Sequence, residues 1–405
     1  MAKIFYSMAG EGRGHAVRVR TLVEHLRFEH ELVLFAPDDA FDFLVKSYGD
    51  EQAVPNVRLL RIPGITFHYT GGKLDLLKSI SHGLSYARRD LPTLLGAFRR
   101  RIEAEQPDLC IADFEPSLPR AARSAGVPLM SIDHQHVLLA YDLKSLPLLL
   151  RRYAWWMSWS VRFYYGRSDY EAVTSSFYTP PLKAGFEHVR QVGPMLREDL
   201  VATIPRHEKF LLSYLRTNTP PRVLETLADC GWDVRIYGLG DRPRQGRITF
   251  HAIDERRFVD DLAACAALVS AAGNQLLGES LYLGKPVFAI PEEMHHEQQI
   301  NACFLKQMGA GDWITLESFS AKPLMKFLSQ LDDYRSNTAT LCGRLNGTPD
   351  ALAAIREKLD QRRWIPACAG MTGVAGRTDT AGRTDTASPS VPRVGSEVPR
   401  GRADE

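Results

Sequence analysis

Cysteine is scarce in this chain of 405 residues, which contains only six. No two of them form a Cys-x-x-Cys pair and none lies among histidines at zinc spacing, so we expect reduced thiols and no bound metal. Net charge is also small, because 50 Lys plus Arg against 48 Asp plus Glu leave only +2, which excludes a global attraction to nucleic acid. No uncharged apolar run reaches the roughly 18 residues that a spanning helix needs.

The N-terminus lacks the apolar block of a signal peptide and resembles the first strand of a domain, so we expect a cytoplasmic protein. The composition itself is ordinary: 44% of the residues are hydrophobic and 24% are charged, as in globular proteins with a large core. A chain of 405 residues is too long for one ordinary core and predicts two or three domains.

Apolar strands alternate with amphipathic helices in two series along the chain. This spacing predicts α/β domains with parallel sheets and right-handed crossovers. We predict two Rossmann-like, doubly wound domains that face each other across a cleft, over residues 1–193 and 206–345, and a C-terminal helix over 346–363. Because such sheets bind ligands beyond the carboxyl ends of their strands, we expect the site in this cleft.

The composition changes from Trp364 onward to Gly, Pro, Thr, Arg and Ala. The hexapeptide of residues 375–380 recurs unchanged at 381–386. We therefore predict a disordered tail over 364–405 with no part in the function.

A glycine loop follows the first predicted strand, with Gly10, Gly12 and Gly14 leading into His15. Glycines there let the backbone approach a ligand and leave free N–H groups at the start of a helix. A dinucleotide-binding loop is similar, but the third glycine of that fingerprint falls on His15. The imidazole puts a titratable group at the mouth of the cleft, unless it only caps the helix.

A second cluster begins at Gly273, which ends a predicted strand and precedes a helix that carries Glu279 two turns in. The next predicted strand ends at Pro291, and the polar pair Glu297 and Gln298 follows it. Backbone N–H groups at the start of a helix can bind a diphosphate, and a carboxylate can bind ribose hydroxyls. These are the parts of a nucleotide site.

These residues resemble a family. Roughly residues 1 to 345 are similar to GT-B glycosyltransferases of the MurG and UDP-glucuronosyltransferase types, with a C-terminal domain of the glycosyltransferase family 28 type. The shared pattern is a glycine, a glutamate six residues on, a Gly-x-Pro and a Gln-x-x-Asn-Ala, matched here at Gly273, Glu279, Gly284, Pro286, Gln298, Asn301 and Ala302.

The resemblance implies roles for several residues of the second half. It implies that Glu279 holds the ribose of a UDP-sugar and that Glu297 and Gln298 contact the donor sugar. It also implies that the backbone at Phe258 and Val259 grips the uracil. In the first half, Gly10, Gly14 and His15 match the MurG glycine loop.

Two departures from the family pattern concern phosphate binding. Ala271 stands where these families often carry Arg or His, so backbone N–H groups must supply more of the phosphate binding there. The loop after Leu215 lacks the Gly-Ser-rich turn of MurG, and Arg216 or a cap at Thr219 could substitute.

An inverting transfer needs a base that takes the proton of the acceptor hydroxyl. His15 is the first candidate, because an imidazole titrates near neutral pH. Asp113 and Glu115, after another predicted strand, could orient His15, act as the base, bind acceptor hydroxyls or merely cap a helix. His134 and His136 follow the next strand, and we expect them to contact the acceptor rather than a metal.

The segment from Leu143 to Gly166 is rich in aromatic residues with arginines between them. Such a belt suits the headgroup region of a membrane, in which case the acceptor is lipid-linked. The alternative is a helix packed on the sheet whose arginines reach solvent.

Together these observations predict a metal-independent hexosyltransferase without a cofactor. It would move a sugar from a nucleotide donor, expected to be UDP, to a hydroxyl acceptor, in making a cell-envelope polysaccharide or glycolipid. A sugar-nucleotide epimerase of the same fold and a non-catalytic nucleotide-sugar-binding protein are the alternatives. A dinucleotide oxidoreductase would leave the cluster after Gly273 unexplained.

Overall fold

The computed structural model describes residues 1–10, 13–50, 52–65, 69–70, 73–74, 81, 83, 85–166, 170–217 and 219–363. Gly12 and the predicted tail over 364–405 lie outside these residues. In the part described, no helix is both long and apolar enough to cross a bilayer. Residues 1–364 group as one compact unit that contains two large sheets and a two-stranded one.

The first sheet has seven strands, and every neighbouring pair in it is parallel. Two short antiparallel strands, β4 and β5, form a separate pair. The strands of this half are β1 Lys3–Met8, β2 Glu31–Ala36, β3 Val57–Arg61, β4 Tyr69–Thr70, β5 Lys73–Leu74, β6 Leu109–Asp113, β7 Leu129–Asp133, β8 Glu171–Ser175 and β9 Val189–Val192. The order β3-β2-β1-β6-β7-β8-β9 changes direction between β1 and β6.

Helices connect these strands and cover the first sheet. A π-helical turn at Tyr86–Asp90 precedes α3. The helices are α1 Arg13–Leu26, α2 Asp38–Tyr48, α3 Leu91–Glu105, α4 Ser117–Ser124, α5 His136–Ala140, α6 Leu148–Tyr165 and α7 Glu198–Val201. Nearly every residue of the central strands is buried, as expected for a parallel sheet with helices on both faces.

The second sheet has six parallel strands in the order β12-β11-β10-β13-β14-β15. Its strands are β10 Phe210–Tyr214, β11 Asp233–Tyr237, β12 Ile248–His251, β13 Ala267–Ser270, β14 Val287–Ala289 and β15 Gly311–Trp313. Its helices are α8 Pro221–Ala228, α9 Glu255–Ala264, α10 Asn274–Tyr282, α11 His296–Gln307, α12 Ala321–Ser329 and α13 Leu331–Ala339, with a 3-10 turn at Leu316–Ser318. The strand order changes direction between β10 and β13.

The last described helix, α14 Thr348–Arg363, returns to the first half of the chain. Ala351 and Ile355 belong to the same buried apolar cluster as Ile4 and Tyr6 of β1. The chain crosses between the halves at two adjoining places, where the amide of Gly347 donates to Pro194 O at 2.9 Å. A Cβ at Gly347 would lie 2.0 Å from Gly193 O, so the two crossings pack too closely for a side chain.

The predicted architecture of two doubly wound α/β units is confirmed. Each sheet changes strand direction once, and the carboxyl ends of the two strands at that point form the usual ligand crevice of such sheets. In the first sheet, His15 follows β1 and Asp113 ends β6. In the second sheet, Arg216 follows β10 and Gly273 follows β13. The fold therefore brings predicted site residues to both crevices.

Candidate active site

The carboxylate of Asp113 is the centre of a charged cluster at the crevice of the first sheet. It ends β6 and lies in register with Met8, the last residue of β1. Arg18 donates to it twice, from Nε to Oδ2 at 2.8 Å and from Nη2 to Oδ1 at 2.7 Å. Asp113 is 0% exposed and Arg18 is 3% exposed, so the pair is shielded from water and its contacts are strong.

His15 is the third member of this cluster, and its Nδ1 lies 2.8 Å from Asp113 Oδ1. The Arg18 guanidinium is 3.1 Å from the same nitrogen, but a guanidinium can only donate. A proton on Nδ1 donated to Asp113 leaves the lone pair on Nε2, which is the form that a base requires. The side chain of His15 is 14% exposed and is thus the accessible member of the cluster.

The charge of Arg18 is held firmly. Burial by itself works to lower the pKa of Arg18, but the Asp113 carboxylate raises it further, so the net pKa lies above its ordinary value. The guanidinium therefore stays charged beside Asp113.

Glu115 has a different environment from Asp113. Its Oε1 accepts from the amide of Ser117 at 2.7 Å and its Oε2 from the amide of Leu118 at 2.9 Å. Burial raises the pKa of Glu115, and these backbone bonds partly offset that effect. Both oxygens thus bind the start of α4, which is the capping arrangement considered as the alternative for this residue.

His134 lies where the halves of the chain meet and is 3% exposed. Its Nδ1 is 2.9 Å from Ser175 O at the end of β8, and its Nε2 is 3.3 Å from Asn301 Oδ1 on α11. The same nitrogen is 4.0 Å from Glu297 Oε1, and burial lowers the pKa of His134. The His134 ring thus joins the first sheet to the helix that carries the predicted sugar-binding pair.

His136 is inside the first half rather than at the cleft rim, which corrects the expectation that it contacts an acceptor. It is 1% exposed, its Nδ1 is 2.8 Å from Asp133 Oδ1, and its Nε2 is 2.8 Å from the Tyr170 hydroxyl. Burial works to raise the pKa of Asp133, but its contact with His136 lowers it more. Both ring nitrogens are engaged in the protein, so His136 acts as a structural residue.

Gly273 opens the crevice of the second sheet at the start of α10. A Cβ at Gly273 would meet no atom within 4 Å, so space adjoins this helix end. The N-cap residue Gly273 has no side chain to cap α10, and the first amides of a helix have no partner within it. Asn274 Nδ2 donates to Ser175 O at 3.2 Å, which fixes the helix end against the first half of the chain.

Glu279 lies on α10 and is 4% exposed. Its Oε1 accepts from Gln275 at 3.0 Å, and its Oε2 is 4.0 Å from Arg197 Nη2. Burial raises the pKa of Glu279, and Arg197 offsets part of this rise. The long contact to Arg197 leaves acceptor capacity on this carboxylate, since an ionised carboxylate has about four acceptor sites.

Arg216 and Gln298 contact Glu292, which follows β14, and Glu297 precedes Gln298 on α11. Arg216 Nη1 is 3.3 Å from Glu292 Oε1, and 47% of the Arg216 side chain is exposed. Gln298 Oε1 accepts from the Glu292 amide at 3.1 Å. The side chain of Glu297 is 29% exposed. The described residues thus place two partly exposed charges, of opposite sign, beside the crevice.

Phe258 and Val259 lie within α9, and their position differs from the expected one. The amide of Phe258 donates to Asp254 O at 2.9 Å, so this backbone group is used by the helix. Val259 is 2% exposed. The Phe258 ring instead packs edge-on against Tyr237, with centroids 5.1 Å apart. The Phe258 amide is thus occupied within the helix, and the contact of this backbone with a base stays a prediction.

Some residues of this site were not found in the sequence. Arg18 is one, although its spacing of three from His15 on a predicted helix puts both on one face and was a usable signal. Glu292 is another, and no local pattern marked it. Arg20 of α1 donates to Glu255 of α9 at 2.5 Å, and this contact between the halves had no signal in the sequence. Among the described residues, no group of three or more His, Cys, Asp or Glu side chains is placed to hold a metal ion.

Solved structures share this two-sheet fold. The calicheamicin glycosyltransferase CalG4 aligns with a TM-score of 0.63 at 17% identity, covering 90% of this chain and 100% of that one. Arabidopsis thaliana UGT89C1, solved with UDP-L-rhamnose, aligns with a TM-score of 0.64 at 13% identity, covering 89% and 99%. The fold is therefore that of GT-B glycosyltransferases.

Sequence comparison then gives the family. The model of Glycosyl transferase family 1 matches residues 2–332, and the chain belongs to this family. An uncharacterized glycosyltransferase of Methanosarcina acetivorans is 28% identical over 387 residues, covering 89% of this chain and 96% of that protein. A second, of Methanosarcina mazei, is 25% identical over 396 residues, covering 89% and 98%. The predicted glycosyltransferase is confirmed, whereas the MurG and family 28 relationship stays a prediction.

Proposed function

We propose that this glycosyltransferase moves a hexose from UDP to an acceptor hydroxyl in one inverting displacement. The observation that carries the proposal is the contact of 2.8 Å between His15 and the buried Asp113. It lies at the crevice of one sheet, and contacts such as that of Asn274 with Ser175 bring the crevice of the other sheet to it. The proposed base and the proposed donor site would then share one cleft.

His15 Nε2 would take the proton of the acceptor hydroxyl while the acceptor oxygen forms a bond to the anomeric carbon. The bond from that carbon to the diphosphate breaks in the same step, and the electron pair leaves with UDP. Asp113 would stabilise the imidazolium that forms, and Arg18 would hold Asp113 in place. A single displacement of this kind inverts the anomeric configuration.

The leaving diphosphate needs positive charge and hydrogen-bond donors near it. The uncapped first amides of α10 beside Gly273 and the half-exposed Arg216 can supply both without a metal. Glu279 would accept from the ribose hydroxyls, and Glu297 and Gln298 would contact the sugar. UDP is the proposed nucleotide because UGT89C1 was solved with UDP-L-rhamnose and LpCGTa with UDP.

The acceptor is proposed to be a hydroxyl of a cell-envelope glycolipid or polysaccharide precursor in the cytoplasm. In the described part of the chain, the cysteines are free thiols, and four of the five are buried. Such thiols suit a reducing compartment.

The test is a thermal-shift screen of the full chain against UDP, GDP, ADP and dTDP and their sugar conjugates. A ligand at a hundred times its dissociation constant stabilises by about 2.7 kcal/mol, so one nucleotide should stand out. The stabilising sugar nucleotide is then incubated with alkyl glycosides, and the anomeric configuration of the product is read by NMR. Turnover without any acceptor would indicate an epimerase, and a screen with no nucleotide shift would contradict the proposed donor site.

A further inference from the structure

Helix α6 presents an outer face with an unusual composition. Every exposed side chain of this helix is either a large apolar group or an arginine: Leu148, Leu149, Arg151, Arg152, Trp155, Trp156, Trp159, Arg162 and Phe163. We call these residues the α6 outer face. The exposed fractions are high, at 66% for Trp155, 59% for Trp159 and 65% for Leu148.

The opposite side of α6 already packs into the protein. Leu150, Ala154, Val161 and Tyr165 are buried in the core of the first half. Packing in the core therefore explains the composition of the buried side of α6. It does not explain the tryptophans on the exposed side. Isolated exposed apolar residues are ordinary, but a contiguous set along several turns marks a surface that contacts something.

The charges of the α6 outer face indicate what it contacts. The helix contains three arginines and no acidic residue, and Arg120 of α4 adds a guanidinium 4.2 Å from the centre of the Phe163 ring. A second copy docked on this face by two-fold symmetry would bring arginines against arginines, which is unfavourable. An anionic lipid surface instead complements the arginines with phosphate, while tryptophan rings occupy the headgroup region.

The same helix borders the candidate active site. The Tyr153 ring stacks on His296 at the start of α11, with centroids 4.6 Å apart. The Tyr165 hydroxyl accepts from the amide of Phe114, the neighbour of Asp113, at 2.7 Å. A surface held by α6 would therefore lie beside the wall of the cleft.

We propose that the α6 outer face docks the protein on an anionic lipid surface, from which a lipid-linked acceptor reaches His15. The proposed docking rests only on the composition and exposure of α6. The delivery of a lipid-linked acceptor rests on the proposed function. Since no described helix can span a bilayer, the contact is made at the surface.

Vesicle co-sedimentation with the full chain tests the docking without any donor or acceptor. Wild-type protein should bind phosphatidylcholine vesicles that contain phosphatidylglycerol and should leave them as salt increases. The double variant Trp155→Ser/Trp159→Ser should bind at least about tenfold more weakly. The variant Arg151→Gln/Arg152→Gln should lose roughly fivefold per arginine.

Phe28→Ser is the matched control, because Phe28 is 73% exposed and also lies under an arginine, with Arg27 at 4.3 Å. It should bind vesicles as wild type does. All variants are first checked for an unchanged unfolding temperature, as expected for exposed positions.

Three results would overturn the docking. They are no binding of wild type to the anionic vesicles, equal binding by the tryptophan variant, and equal binding to pure phosphatidylcholine. Concentration-dependent dimerisation that the tryptophan variant abolishes would assign the face to a second copy instead. Because binding needs no turnover, a failed transfer assay with intact vesicle binding would count against the proposed function alone.

Discussion

The two crevices of this molecule hold their charges in different ways. At the first, Asp113 is fully buried and receives two bonds of 2.7–2.8 Å from Arg18. At the second, the Arg216 side chain is 47% exposed and lies 3.3 Å from Glu292. The charges of the first cluster are paired with each other inside the protein, whereas the second cluster has an exposed charge that a ligand can contact. The proposed base is thus preorganised, and the proposed donor site is completed by the donor.

The sharpest test of this contrast is His15→Ala, for which we expect turnover to fall by about 10² to 10⁴-fold, as the loss of a general base does. Donor affinity should not change, because the proposed donor contacts lie at the other crevice. Steady-state kinetics and a donor titration measure both quantities. His25→Ala, on the same helix and 28% exposed, is the control and should keep full turnover. Full activity of His15→Ala would move the base to another residue.

The contrast also predicts unequal stabilities for two arginine variants. Arg18→Met leaves the buried Asp113 charge without its main partner and should lower the free energy of unfolding by about 3–5 kcal/mol. Arg216→Met removes the half-exposed partner of Glu292, whose side chain is 10% exposed, and should lower it by less, about 1–2 kcal/mol. Urea unfolding of both variants gives the comparison. Equal losses would mean that the two crevices are not built differently.

Glu279→Ala should weaken donor binding by about 1–3 kcal/mol through unpaired ribose hydroxyls. Since burial raises the pKa of Glu279, wild-type donor affinity should fall as the pH is lowered through that raised value, because the protonated form accepts less. The variant should lack this fall. Calorimetric titration across pH measures it, with Glu198→Ala, 81% exposed, as the control. Unchanged affinity for donor in Glu279→Ala would remove the residue from the donor site.

Local sequence patterns predicted most of the fold. The strand at Glu31–Ala36 and the start of the helix at Asn274 lie where expected, because buried parallel strands are short apolar runs and a glycine precedes that helix. Of the strands in the two large sheets, β3, β8, β9, β12 and β15 were not predicted. All except β8 stand at sheet edges, where hydrophobic patterning is weakest.

The site was harder to predict, because its contacts join distant parts of the chain. The order of the elements put His15 and Asp113 at one crevice, but their contact spans 98 positions and depends on parallel register. Glu115 and His136 were candidates on position alone. The backbone turns at Phe114, with a φ of 55°, and Glu115 binds the start of α4. No periodic pattern in the sequence predicts such a turn. Only the structure therefore distinguishes a carboxylate that caps a helix from a catalytic one.

Helix α14 completes the core of the first half of the chain, although it is synthesised after the whole second sheet. The ribosome makes β1 and its neighbours first, yet Ala351 and Ile355, which cover Ile4 and Tyr6, emerge after the whole second sheet. Part of the core of the first half therefore stays uncovered until the second half has been synthesised and α14 can pack on it. A chain that stopped before Thr348 would carry that opening permanently.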